Sequence, residues 1–194
     1  MRQILKGDVP VPFQQWRQKN RTANWQDFSG SDIYQALRET LIKQQGQMCC
    51  YCEVAITANI DAHIEHIKDK DSSPQLLFDF ANLLASCQYN DCCGHKKGNG
   101  YFADMVTPLQ SDCQSRFIYT GSGEIHPLDE EDSFAYQTIE LLALNCNRLK
   151  DRRQSIIKAL DPAFTDALFL QQSLDHCIGW YNGFYSLIKY MANK

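Results

Sequence analysis

Two cysteine pairs bracket a short run of histidines and a carboxylate. The first pair is Cys49-x-x-Cys52 and the second is Cys87 with either Cys92 or Cys93. Each pair sits across a tight turn, and four thiolates form the donor set of a closed tetrahedral zinc site. Turn-forming and polar neighbours surround both pairs, whereas buried free cysteines pack as small hydrophobes. Nine cysteines is an odd number, and the start Met1-Arg2-Gln3-Ile4-Leu5-Lys6 has no apolar leader core. Metal ligands and free thiols are therefore expected rather than a disulfide framework. Cys50, Cys113, Cys146 and Cys177 stand alone or on helical apolar stripes, and core packing is expected for them.

Between the pairs runs His63-Ile64-Glu65-His66-Ile67, and Asn82-Leu83-Leu84 leads into Cys87. Cys93-Gly94-His95-Lys96-Lys97-Gly98 follows. Hydrolysis of a phosphodiester needs a base to activate water and a divalent cation to stabilise the pentavalent phosphorane and the leaving oxygen. An imidazole titrates near neutrality and suits the first task. His63 lies two residues before Glu65, so a strand would put both on one face. It reads either as a metal ligand or phosphate contact, or as a partly exposed strand histidine. Lys96 and Lys97 could meet phosphate or be a solvated turn.

The order Cys-x-x-Cys, acidic residue-His-Ile, Asn-Leu-Leu-x-x-Cys, Cys-x-x-x-Lys-Gly resembles the zinc-clamped HNH endonuclease motif. It spans residues 49–98, about half the chain. The resemblance implies a ββα-metal core with structural zinc on Cys49, Cys52, Cys87 and Cys93, with Cys92 as the alternative fourth ligand. It implies His66 as general base, Glu65 as a ligand of catalytic Mg²⁺ or Mn²⁺, and Asn82 holding the His66 ring through its carbonyl. Gly94 occupies the position where other members often carry Asn or His directly after the cysteine. His95 is then the residue expected to complete the catalytic metal site, with His63 as a further candidate.

The flanks are similar to the HNH subunit of Septu-type and retron-associated anti-phage systems (PtuB-like): a Pro-rich, Trp-containing arm, a helix running into Cys49-Cys50-Tyr51-Cys52-Glu53, and Leu144-Asn145 leading into an Arg-rich stretch. This resemblance implies a partner ATPase of the SMC/ABC-like class and a part in bacterial defence.

The elements that must position these residues read as α+β, mainly α. An arm with one short helix is expected over the first 28 residues, its aromatics docked on the body. From Ser31 the spacing Ile33, Leu37, Leu41 predicts a helix stopped near Gly46. Residues 51–57 and 60–67 read as two strands joined by a turn near Ala58-Asn59, followed by a short apolar segment at 76–84. Thr120-Gly121-Ser122-Gly123 predicts a hairpin turn. Ser133 can cap a helix whose stripe runs from Ile139 to Ile156 and ends before Pro162, and a last helix is expected from Leu170 to Ile188. This divides the chain into an arm and helix at 1–45, a zinc-clamped core at 46–127 and a helical region at 128–194.

A net charge of -4 excludes a protein that coats nucleic acid by bulk electrostatics, so any such contact is local. Arg148, Lys150, Arg152, Arg153 and Lys158 form a basic stripe that could grip a phosphate backbone or be the solvated face of a helix. No run is apolar enough for a membrane span, and the cytoplasm is the expected location. Two competing readings remain. A non-catalytic zinc-module adaptor would bind nucleic acid or protein but has no need of Glu65, His66 and Asn82. A catalytic zinc hydrolase on His63, Glu65 and His66 lacks the four-apart helical spacing of that class.

Overall fold

The computed structural model describes residues 1–57, 59–160 and 166–193. Among the described residues helices dominate, with two small antiparallel sheets, so the fold is α+β. The arm holds two helices where one was expected, α1 (Val11–Lys19) and α2 (Trp25–Ser29). The second is set by a reciprocal cap in which Asn24 and Asp27 each accept the other's backbone N–H. Phe28 is fully buried at the centre of an aromatic cluster, with Trp16 at 4.7 Å, Trp25 at 5.3 Å and Phe78 at 5.5 Å between ring centroids. The arm thereby docks on the loop that follows the histidine run.

The expected helix after Ser31 is α3 (Asp32–Gln44), capped by the Ser31 hydroxyl and burying Leu37, Leu41 and Ile42. Gly46 follows with φ of 61°, which only a residue without Cβ adopts freely. Gln45 then behaves as a piece of strand: its side chain donates to the Met48 and Ala85 carbonyls and accepts from Ala85 N.

The strands differ from the sequence reading. Residues 51–57 make isolated bridges, Met48 with Ala55 and Val54 with Gly183, instead of a strand. The reason is local: the Cys49 carbonyl accepts from Glu53 N, Cys49 N donates to Val54 O, and Glu53 sits at φ of 63°. That tight knuckle cannot be extended. The partner of β1 (Ala62–His66) is instead β2 (Leu83–Cys87), antiparallel, with Glu65 opposite Leu84 and His66 opposite Leu83. Ala58, in the turn expected between the two strands, lies outside the described residues. A short helix, α4 (Cys93–Lys97), follows β2 and is tied to it by Gly94 N donating to Ser86 Oγ at 3.1 Å.

The expected hairpin forms as β3 (Phe117–Tyr119) and β4 (Ile125–Pro127). The long helix expected from Ser133 is two, α5 (Ser133–Leu141) and α6 (Asn147–Ala159), with Asp132 rather than Ser133 as the cap. The break serves other contacts: Leu142 O accepts from Cys93 N, and the Asn145 amide pairs with both backbone groups of Ile125. Pro162, the expected stop, lies outside the described residues. The last predicted helix is three, α7 (Ala167–Asp175), α8 (Cys177–Tyr181) and α9 (Tyr185–Ala192). Gly183 (φ 108°) separates the last two, where a Cβ would stand 1.9 Å from Glu53 O. No other residue permits that approach.

Candidate active site and metal clamp

The Sγ atoms of Cys49, Cys52, Cys87 and Cys93 all lie within 4.8 Å of one another, and all four residues are buried. A zinc ion with bonds of about 2.3 Å places its sulfurs roughly 3.8 Å apart. Cys52 and Cys87 stand at 3.9 Å. The donor set therefore fits zinc, and Cys93, not Cys92, is the fourth member. Cys93 reaches it at φ of 59°, a conformation costly for a residue with Cβ, held by its N–H on Leu142 O. Burial alone would push the Cys49 thiol up, but hydrogen bonds from the surrounding thiols hold it well below the ordinary range. Cys87 N donates to its sulfur at 3.3 Å. All nine cysteines are free thiols, and of the four assigned to packing, Cys50, Cys113 and Cys177 are buried while Cys146 is only half-buried.

The histidine run falls on two sides of β1. His63 and Glu65 point toward α4, with His63 Nε2 3.4 Å from Glu65 Oε2. The other carboxylate oxygen, Oε1, is taken by the buried Lys97 ammonium at 3.0 Å and the Tyr51 hydroxyl at 3.2 Å. Lys97 is thus an internal counter-ion, and not a solvated turn. A Cβ on Gly94 would lie 2.5 Å from Glu65 Oε2 and 2.7 Å from His63 Nε2. Glycine keeps that space open. His63 Nδ1 is buried with no hydrogen-bond partner among the described residues. Glu65 Oε2 and His63 Nε2, 3.4 Å apart over the space that Gly94 leaves, are donors that could hold a divalent cation between them. The His95 ring lies tilted against that of His63, 4.3 Å between centroids, yet its Nε2 is bound to Gln88 Oε1 at 2.7 Å.

His66 leaves the strand on the side of the arm, where its ring meets Trp25 edge-on at 4.4 Å. Its Nε2 lies 3.0 Å from the Leu77 carbonyl. Burial lowers its pKa, partly offset by that carbonyl. Asn82 does not meet the ring, contrary to the expected contact. Its Oδ1 accepts from Lys68 N at 2.8 Å, and its Nδ2 donates to Lys68 O at 2.9 Å and Leu76 O at 3.3 Å. It pins both ends of the loop 68–76, and the residue after Leu76 supplies the carbonyl that holds His66. Trp25 and Leu77 are the neighbours that the linear motif did not reveal, since both come from outside it or from its variable loop.

The basic stripe is largely spent. Arg153 is buried and donates to Gly123 O at 2.5 Å and Leu144 O at 2.7 Å. Arg148 pairs with Asp91 at 3.3 Å and Lys150 with Glu124 at 3.8 Å. Among the described residues no helix is long and apolar enough to cross a membrane.

No protein-family model matches the chain. A protein of Vibrio cholerae serotype O1 biovar El Tor named "Retron Vc95 putative HNH endonuclease" is 30% identical over 156 residues, covering 73% of this chain and 75% of that protein.

Proposed function

Because the chain belongs to the HNH endonuclease family, we propose that it is a metal-dependent endonuclease hydrolysing phosphodiester bonds of nucleic acid, with β1, β2 and α4 as its ββα unit. The observation that carries this reading is the anchoring of His66. With Nε2–H donated to Leu77 O, the lone pair resides on Nδ1, and a half-buried ring disfavours the imidazolium form. A neutral imidazole fixed by one nitrogen is what a general base requires, and Nδ1 takes the proton of the attacking water. Asn82 acts through the loop it pins, fixing the Leu77 carbonyl and so the ring.

On the other side of the strand, Glu65 Oε2 and His63 would hold Mg²⁺ or Mn²⁺, which when bound stabilises charge on the phosphorane and the leaving oxygen. His95 joins them by giving up Gln88. Lys97, on Oε1, fixes the Glu65 carboxylate with its other oxygen turned toward the gap above Gly94. The four-cysteine clamp holds zinc and fixes α4 against β2.

The test incubates the protein with plasmid, linear DNA and RNA, with and without Mg²⁺ or Mn²⁺, beside His66→Ala. Metal-dependent cutting by the wild type and its loss in the variant are expected. If His66→Ala cuts as well as the wild type, the mechanism fails.

The similarity of the flanks to Septu-type and retron-associated subunits, and the word "Retron" in the name of the Vibrio cholerae protein, support a second proposal. The chain serves as the effector nuclease of a cytoplasmic anti-phage complex with an SMC/ABC-like ATPase. A pull-down from the native host that recovers no ATPase removes that partner.

A further inference from the structure

We propose that Asp91, Cys92 and Cys146 form a second site for a zinc-class ion, beside the clamp and distinct from it. One carboxylate oxygen and two sulfurs lie within 4.8 Å of one another. Cys92 stands outside the four converging sulfurs, although its own buried sulfur lies against those of Cys52, Cys87 and Cys93. Cys92 immediately precedes α4 and Cys146 immediately precedes α6, and the Cys146 sulfur lies against both the Cys92 sulfur and the Leu149 N–H. The burial is graded: Cys92 fully buried, Cys146 half-buried, Asp91 exposed. An ion would enter from the Asp91 side.

Two thiolates and a carboxylate suit a borderline dication such as Zn²⁺ and not the hard Mg²⁺. Three protein ligands leave a fourth tetrahedral position for water. Binding displaces the thiol protons to solvent. Asp91 currently faces Arg148, with Nε 3.3 Å from both oxygens and the guanidinium over the Tyr89 ring at 4.5 Å. Arg148 would remain as an outer partner of the ligating carboxylate. Occupied, the site would join the start of α4, which carries His95 and Lys97, to the start of α6.

The experiment measures zinc per chain by elemental analysis for the wild type, Cys146→Ser and Asp91→Asn, each saturated with zinc and desalted. Two ions per wild-type chain and one in Cys146→Ser are expected, the second ion leaving first to a mild chelator. Should Cys146→Ser fold poorly, Asp91→Asn decides: losing a direct ligand costs at least the roughly 10-fold in affinity that an outer partner costs. One ion per wild-type chain, or two in Cys146→Ser, overturns the proposal. So does a thiol count, on chelated and denatured protein, that falls two short of the nine cysteines, since Cys92 and Cys146 would then be a disulfide.

Discussion

The clamp, drawn from the knuckle at Cys49 and Cys52, the end of β2 and the start of α4, and the proposed reacting face, drawn from β1 and α4, are neighbours assembled to different degrees. In the clamp four sulfurs converge within 4.8 Å, all buried. On the reacting face the groups diverge: Glu65 and His66 leave β1 in opposite directions, and His95 is held by Gln88. A structural ion needs a closed, dry cage. A site that must admit a phosphodiester needs open positions and groups approaching the substrate from different sides. On the function proposed above, the clamp is a scaffold and the reacting face is built on it.

The largest expected effect lies on the scaffold. In small zinc modules the ion contributes about 10–16 kcal/mol of apparent binding free energy, as much as the roughly 5–15 kcal/mol that stabilises a whole domain. Cys87→Ser should therefore abolish zinc retention and the cooperative thermal transition together. A variant that melts as the wild type does, without zinc, would show that the clamp is dispensable. His66→Ala should do the reverse, lowering cleavage about 10²–10⁴-fold while zinc content is kept. Its melting midpoint should fall by only a few degrees, at ~2–4 °C per kcal/mol for a chain of this size.

Gly94→Ala tests the seam between the two regions. Gly94 follows Cys93 of the clamp, but its missing Cβ makes the gap at Glu65 and His63. The added methyl should displace the Glu65 carboxylate and raise the Mn²⁺ concentration for half-maximal cleavage by roughly 10–100-fold, the range for disturbed metal-site partners. Zinc content should not change.

The same contrast explains what the sequence made legible. Cys49-x-x-Cys52 and the later cysteines announce the clamp because thiolate spacing across a turn is a local constraint. The helix after Ser31 and the hairpin around Gly121 are local too, and both form where expected. The expected strand at 51–57 does not form because the knuckle there acts through Glu53 at φ of 63° and a bridge from Val54 to Gly183, which is distant in sequence. The helix breaks at Ala143 (φ 46°) and Gly183 answer contacts made by Cys93, Ile125 and Glu53, all distant in sequence. The Arg153 side chain looked like part of a basic face because nothing nearby in sequence shows that it caps the Gly123 and Leu144 carbonyls.

Asn82→Ala should fall between scaffold and chemistry. It removes three hydrogen bonds on the loop 68–76, each worth about 0.5–1.5 kcal/mol net. The melting midpoint should drop by several degrees, and kcat should fall because Leu77 no longer holds His66 in place. A residue acting only through the loop leaves the metal concentration for half-maximal cleavage unchanged. A shift in that value would mean that Asn82 touches the cation site directly.

The smallest effect concerns His95, the one expected ligand that the fold turns aside. If its ring swings from Gln88 to the cation during turnover, freeing it should not harm the enzyme. Gln88→Ala would then match or exceed wild-type cleavage, and His95→Ala would lose about 10-fold, a modest loss because Glu65 and His63 remain. If the Gln88 bond is permanent, both substitutions leave cleavage unchanged. The pair of variants decides between these outcomes in one titration against Mn²⁺, because only a ligand moves the half-saturating metal concentration along with the rate. A unit that completes its ligand set only in the presence of the ion and the substrate would account for why α4 is fixed so firmly at Cys93 while the exposed His95 ring is held by the Gln88 side chain.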